Sequence, residues 1–148
     1  MSGPDPVDQC YEEILREHSK LRTILDELKQ LLFDRAAPIG DVAGRLTDLQ
    51  SLVSSHFKAE EASGCFPNMV SHAPRVSSRV EDLIAEHGEL NVAVNELVTH
   101  AAECAGGADD WELISVRFTE FTTKLMQHEM VENELMQEVF TEDIGSKD

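Results

Sequence analysis

The sequence has little of what membrane-spanning, secreted and nucleic-acid-binding proteins need. It has 12 lysines and arginines against 29 aspartates and glutamates, so its formal net charge is −17. Such a surplus of acids repels phosphate, and we therefore expect no binding to nucleic acid or to an anionic membrane surface. No apolar run approaches the roughly 18 residues of a membrane span. Residues Met1 to Gln9 lack the basic and apolar regions of a secretion signal.

Cysteine is also scarce, with only Cys10, Cys65 and Cys104 in the chain. An odd number of widely spaced cysteines does not make a disulfide framework, so the sequence predicts a cytoplasmic protein. We expect Cys10 and Cys65 at one end of the protein and Cys104 at the other. All three are interpreted as small apolar residues of the core. A redox pair of Cys10 and Cys65 is the alternative.

The periodicity of apolar residues predicts the fold. Hydrophobic residues make up 41% of the 148 residues, which suits one folded domain over residues 1–148. Proline and glycine separate four segments in which apolar residues recur every three or four positions, and no segment alternates like a strand. These segments predict helices over roughly 7–34, 39–64, 75–104 and 109–141. We therefore predict an all-α, up-down-up-down antiparallel four-helix bundle.

Two positions interrupt this regular pattern. The segment from Gly64 to Pro67 is expected to end or kink the second helix, with a short offset helix over residues 66–73 before a turn at Pro74. Gly88 lies inside the third helix, where glycine costs about 1 kcal/mol relative to alanine. It either permits a close backbone approach beside His87 or is simply tolerated.

Polar residues lie inside the apolar stripes of all four predicted helices. Each stripe contains one histidine, and the four are His18, His56, His87 and His128. The second and fourth helices add Glu60 and Glu132 four residues after a histidine, which places each pair on one helix face. In an antiparallel bundle, residues equally far from a turn lie at one height. The six residues meet this condition to within about three residues, or roughly 4.5 Å, and are expected to form one layer.

A buried layer of imidazoles and carboxylates is costly unless it holds a metal. Four histidines and two carboxylates exceed what one tetrahedral zinc ion needs, whereas such donors from four helices suit two iron or manganese ions with bridging carboxylates. The ferritin-like motif Glu-x-x-His is disfavoured because the order here is His-x-x-x-Glu. A zinc protease is also disfavoured, because Glu132 takes the place of the second histidine of its motif.

The ordered set of motifs resembles the hemerythrin-like (HHE cation-binding) family over about residues 8–140. The motifs that carry the resemblance are Glu17-His18, His56-Phe57-Lys58-Ala59-Glu60-Glu61, Cys65-Phe66-Pro67, Glu86-His87-Gly88-Glu89-Leu90 and His128-Glu129-Met130-Val131-Glu132. The resemblance implies two iron ions with an oxo or hydroxo bridge, and less readily manganese or zinc. It implies that His18 and His56 ligate one iron and that His87 and His128 ligate the other. Glu60 and Glu132 are then the bridging carboxylates.

The chain also differs from the oxygen-carrying hemerythrins that it resembles. Those proteins have a second histidine four residues after the one in the third helix, where this chain has Asn91. They end on His-x-x-x-x-Asp, where this chain has His-x-x-x-Glu. The second iron therefore has one imidazole fewer, and water, Asn91, Glu61 or Glu129 are the candidates to complete it. Glu61 and Glu129 are otherwise expected on the surface, since they point about 100° away from the ligands.

The resemblance thus implies a non-haem di-iron protein that binds or senses dioxygen or a related small oxidant. One alternative is an enzyme that acts on peroxide or nitric oxide, and another is a non-catalytic iron-binding or regulatory module. The expected partner is dioxygen, peroxide or nitric oxide as a small ligand. Six apolar residues are expected to surround the irons with a dry shell: Leu21, Val53, Leu83, Leu90, Phe121 and Leu125.

Overall fold

The computed structural model describes residues 6–62 and 65–145, and the side chains of residues 9–62 and 65–139. In these residues all regular structure is helical. The helices are α1 (Pro6–Asp34), α2 (Ile39–Ala62), α3 (Cys65–His72), α4 (Ser77–Glu103) and α5 (Ala108–Gly145), with one 3₁₀ turn over Pro74–Val76. The four long helices are those that the sequence predicted. The largest difference in their bounds is the end of α5, which is Gly145 rather than residue 141.

The long helices pack in a ring, with α1 against α2 and α5, and with α4 against the same two helices. Their apolar stripes meet inside this ring, where Leu28, Leu46, Val94 and Ile114 are all fully buried. The prediction of an all-α bundle is therefore confirmed. None of the helices in the described part of the chain combines the length and the hydropathy that crossing a membrane requires.

The core consists of two apolar clusters with a polar layer between them. The larger cluster includes Leu21 of α1 and Leu90 of α4, and the smaller one includes Ile14 of α1 and Leu83 of α4. His18 lies between the two α1 residues in sequence, and His87 lies between the two α4 residues. The predicted layer thus falls where one cluster ends and the other begins.

The short helix α3 agrees with the interpretation of Pro67. We expected an offset helix over 66–73, and α3 covers Cys65–His72. Pro67 is its third residue, in the first turn, where the missing N–H costs no intrahelical hydrogen bond. Gly64, which was expected to contribute to the break, lies outside the described residues.

The interpretation of the cysteines as three separate core residues was wrong. Cys10 of α1 and Cys65 of α3 form a disulfide, with 5.4 Å between their Cα atoms. Both are buried in the smaller cluster, and Cys104 is a free, half-buried thiol against the larger one. Cys10 and Cys65 lie at one end of the protein as expected, and Cys65 is the first residue of α3. The disulfide also removes the cysteine-based reason for expecting a cytoplasmic protein.

Candidate metal centre

The polar layer contains all six residues that the sequence singled out. None is more than 3% exposed, and they are His18, His56, Glu60, His87, His128 and Glu132. Two of the long helices supply one residue each, and α2 and α5 supply a histidine and a glutamate one turn apart. The structure therefore brings the six together, as the helical spacing predicted.

The four imidazoles form two pairs. The ring centroids of His18 and His56 are 5.1 Å apart, and those of His87 and His128 are 4.8 Å apart. The first pair comes from α1 and α2, and the second comes from α4 and α5. The histidines of the layer are thus grouped two by two across neighbouring helices.

Each inner carboxylate contacts one histidine of each pair. Glu60 Oε1 is 3.1 Å from His56 Nε2 and 3.4 Å from His87 Nε2. The two oxygens of Glu132 divide in the same way, since Oε1 is 3.2 Å from His18 Nε2 and Oε2 is 3.2 Å from His128 Nε2. Donor atoms of Glu60, His87, His128 and Glu132 lie within 4.8 Å of one another, as do those of His18, His56 and Glu132. Glu132 belongs to both groups, which is the arrangement that a bridging carboxylate requires.

The inner faces of these side chains have no hydrogen-bond partners. Within the described residues, the Nε2 atoms of all four histidines and both oxygens of Glu60 and Glu132 are buried and unpaired. Folded proteins leave few such atoms, because each costs about 1–3 kcal/mol. Metal ions would satisfy all of them at once, and a set of imidazole and carboxylate donors suits transition metals. The residues present therefore fit a metal centre.

The outer faces of three histidines are engaged by carboxylates. His87 donates its Nδ1 hydrogen to Glu61 over 3.1 Å. His128 donates its Nδ1 hydrogen to Glu86 over 3.0 Å, and His56 donates to Glu17 in the same way. A carboxylate only accepts, so Nδ1 carries the hydrogen and Nε2 presents its lone pair to the layer. Carboxylates that orient metal-ligating histidines in this way are a common feature of metal sites.

Sequence reasoning missed these three outer carboxylates. Each is the sequence neighbour of a layer residue, but each reaches the histidine of the next helix rather than its own. Glu61 was expected on the surface or as a ligand. It is exposed, and its carboxylate accepts the Nδ1 hydrogen of His87. The signal that was available is the repeated neighbour pattern of Glu17-His18, Glu60-Glu61 and Glu86-His87.

Two further candidate residues lie elsewhere than expected. Glu129 is not on the surface, since it is 2% exposed, and its Oε1 is 4.0 Å from His18 Nε2. Glu129 thus lies beside His18 of the first histidine pair. From the sequence, it was a candidate ligand of the second iron, which is expected beside the other pair. The packing of α1 over this face of α5 explains its burial. Asn91 is half-buried and lines a polar groove between α2 and α4 together with Gln50 and Lys58.

Burial and proximity set the charges of the two inner carboxylates. Burial, and then the nearby Glu132, raise the pKa of Glu60 well above its ordinary value. Burial alone would also raise the pKa of Glu132, but its contacts with Glu60, His128 and His18 outweigh burial and lower the pKa. Without a metal, Glu60 therefore binds a proton more readily than Glu132 does.

The histidines differ in the same way. Burial lowers the pKa of His56 and lowers that of His87 to about 4, so both rings are neutral at pH 7. Burial would also lower the pKa of His128, but Glu132 and Glu86 outweigh burial and raise it. Neutral imidazole is the form that binds a metal, so His56 and His87 are ready to do so without losing a proton.

Aromatic rings enclose the second histidine pair. The ring of Phe57 stacks on that of His87 with centroids 3.9 Å apart, and Phe66 of α3 stacks on it at 5.4 Å. All six predicted residues of the dry shell are buried as well. Phe57 and Phe66 were not predicted as shell residues, because they neighbour the stripes of ligands rather than lie on them.

A cavity at the surface lies next to the layer. Its volume is about 540 Å³, it lies between α4 and α5, and its wall includes Glu86, Leu90, Lys124, His128 and Val131. His128 is the residue of the layer in this wall, and Glu86, which accepts the Nδ1 hydrogen of His128, lies in it too.

The fold and this layer define a class, that of all-helical bundle proteins with a buried metal-binding site of histidines and carboxylates. Comparison with protein families is more specific, since the Hemerythrin HHE cation binding domain matches residues 10–140. The chain belongs to this family, which confirms the resemblance and with it the binding of a cation, typically iron. Searches of curated proteins and of solved structures found no match.

Proposed function

We propose that the chain holds two iron ions, one beside His18 and His56 and the other beside His87 and His128. The observation that carries this proposal is that Glu60 and Glu132 each contact one histidine of each pair. A carboxylate that served a single ion would contact only one pair. Iron is favoured over manganese and zinc because the family typically binds iron. The nitrogen and oxygen donors of the layer suit iron.

The proposed function is binding or sensing of dioxygen or a related small oxidant. When bound, the two irons would supply ligand coordination and electron transfer to such a molecule. The chain's own residues hold the imidazoles in one tautomer through the outer carboxylates and exclude water with Phe57 and Phe66. The cavity of about 540 Å³ beside His128 has room for a diatomic molecule or peroxide.

A second candidate function is that of an enzyme acting on peroxide or nitric oxide. The observation that favours it is Asn91, which stands where the oxygen carriers that the chain resembles have a histidine. With one imidazole fewer, a metal keeps an additional position for an exchangeable ligand. A non-catalytic, regulatory iron-binding module is the third reading, in which metal occupancy stabilises the fold.

Metal analysis combined with an optical spectrum tests the proposed centre. Protein loaded with ferrous iron without oxygen should hold about two irons per chain, as di-iron bundles do. Glu132→Ala should lose most of this iron, whereas Glu134→Ala, which removes an exposed acid of the same helix, should keep it. A wild-type protein that binds no iron and is fully stable without it would contradict the proposal.

The reaction of the loaded protein separates the three functions. A stable charge-transfer band after addition of dioxygen would support binding or sensing. Rapid gas evolution from peroxide, or rapid consumption of nitric oxide, would support the enzyme. Two bound irons with neither reaction would support the regulatory module.

We also propose that the four long helices run up-down-up-down and that residues 1–148 form one domain. The ring of helix contacts and the short connections over residues 35–38 and 104–107 support this topology. Spin labels at residues 29 and 45 should then be near each other, because both would lie close to the first connection.

A further inference from the structure

Glu129 is a further buried carboxylate, next to the six residues of the layer. It is 2% exposed, and neither of its oxygens has a hydrogen-bond partner in the described part of the chain. Its Oε1 is directed to the first histidine pair, 4.0 Å from His18 Nε2. A carboxylate this deeply buried is stable in its charged form only beside a cation.

The described residues pair Glu129 with no cationic side chain. Arg22 on α1 is exposed, and these residues show no ion pair between it and Glu129. A cation close to both Glu129 Oε1 and His18 Nε2, which lie 4.0 Å apart, would compensate the buried carboxylate.

We propose that Glu129 is a further ligand of the metal beside His18 and His56, an inference that rests on the proposed di-iron function. This metal then has five protein ligands, namely the two histidines, Glu129 and the two bridging carboxylates. The metal beside His87 and His128 has four, because Glu61 is engaged with the outer nitrogen of His87. The two positions are therefore unequal.

Glu129→Gln tests the assignment of the ligand, with Glu134→Gln as the matched control because it removes one exposed charge of the same helix. The metal-free variant should melt at a higher temperature than the wild type, since a buried unpaired carboxylate is gone. One of the two Co²⁺ ions should bind this variant at least about tenfold more weakly. Removal of a residue that only orients a ligand already causes a loss of this size. Visible absorption of the bound Co²⁺ should strengthen, because its coordination number falls.

Opposite effects on the metal-free and metal-bound forms distinguish a ligand from a structural residue. If Glu129 only stabilised the fold, both forms would be destabilised together. If it served Arg22, then Arg22→Gln would reproduce the effects of Glu129→Gln. If Glu129→Gln binds two Co²⁺ ions with unchanged affinity and spectrum, Glu129 is not a ligand, and the proposed di-iron function still stands. If the wild type binds no metal, the proposed function is wrong as well.

Discussion

For three of the four histidines, a single carboxylate decides which ring nitrogen faces the core. The outer carboxylates Glu17, Glu61 and Glu86 fix three of the four rings, and each is itself 37–42% exposed. Their contribution to stability as surface charges is small, because water screens them. Their effect on the metal is larger, since a ring that turns over presents N–H instead of a lone pair.

Removal of one outer partner should weaken the centre without unfolding the protein. In Glu86→Ala, His128 loses the acceptor of its Nδ1 hydrogen. We expect the affinity for iron to fall about 10–100-fold. A competition titration with a chelator measures this, and Glu89→Ala, an exposed acid one turn away, should show no loss. Equal affinity in the two variants would contradict the role of Glu86.

The pKa of His87 makes the stability of the metal-free protein depend on pH. It is about 4 in the folded protein against 6.5 in the unfolded chain, so the unfolded chain takes up the proton first. The stability that His87 contributes is present above pH 6.5 and is lost as the pH falls towards 4, by roughly 1–3 kcal/mol. Glu60 has the opposite effect on stability because its pKa is raised. The stability that protonated Glu60 contributes is lost as the pH rises.

Denaturant unfolding between pH 7 and pH 4 measures this effect. His87→Gln should show a smaller loss of unfolding free energy over this range than the wild type does. His72→Gln is the control, because His72 is exposed at the end of α3. If both variants lose stability as the wild type does, His87 is not the group responsible.

The inner residues could be predicted from the sequence, and the outer ones could not. His18 and Glu132 interrupt apolar stripes of known period, so their direction follows from their position in the helix. Glu129 and Glu61 do not lie on a stripe, and what they meet depends on how neighbouring helices pack around them. One is buried under α1 and the other is half exposed, although each follows a layer residue by one position.

At the scale of the helices, α3 is attached to α1 by a covalent bond. The Cys10–Cys65 disulfide closes a loop with a sequence separation of 55, and Phe66 next to it stacks on His87. The sequence predicted α3, but it offered the pairing of Cys10 with Cys65 only as the alternative. The apolar periodicity of α2 does not predict the orientation of a short helix that follows a break in the chain.

Loss of this disulfide should destabilise the protein. For a loop of this length, the chain-entropy estimate is about 4 kcal/mol, taken as an upper limit. The double variant Cys10→Ser/Cys65→Ser should therefore unfold at lower denaturant, and amide exchange in α3 should accelerate. Cys104→Ser, which removes the free thiol, should change much less. Equal stabilities of all three proteins would show that the disulfide contributes nothing.

Gly88 in α4 offers a test of helix propensity. An added Cβ would meet no atom within 4 Å, so this glycine is tolerated rather than required for a close approach. Gly88→Ala should raise the free energy of unfolding by up to about 1 kcal/mol.

Gly106→Ala is the matched contrast, because Gly106 has a φ of +94°, which strains any other residue. It should destabilise the protein by about 1 kcal/mol or more, as incompatible backbone substitutions do. Thermal melting of both metal-free variants checks the opposite signs, and a loss of stability in Gly88→Ala would refute the first expectation.

At the scale of the whole molecule, the net charge of −17 repels itself. Added salt screens this repulsion, so 0.5 M salt, about three times the physiological concentration, should stabilise the metal-free protein. We expect about 1 kcal/mol, or a rise in Tm of about 2–4 °C for a chain of this size. The rise should shrink when exposed acids are neutralised, as in a variant with Glu81, Glu89, Glu96 and Glu120 all changed to glutamine. A larger rise in that variant would contradict this explanation.

The polar layer between the two apolar clusters also fixes how the helices align along their axes. Stripes of leucine and valine with a spacing of three and four residues would still match after a helix slid by one turn, about 5.4 Å. Such a slide would move His18 or His87 out of the layer and set it against an apolar cluster, while an apolar side chain entered the layer. The centre thus excludes the slipped packings that the apolar core alone would accept, and it gives a simple repeating core a single alignment.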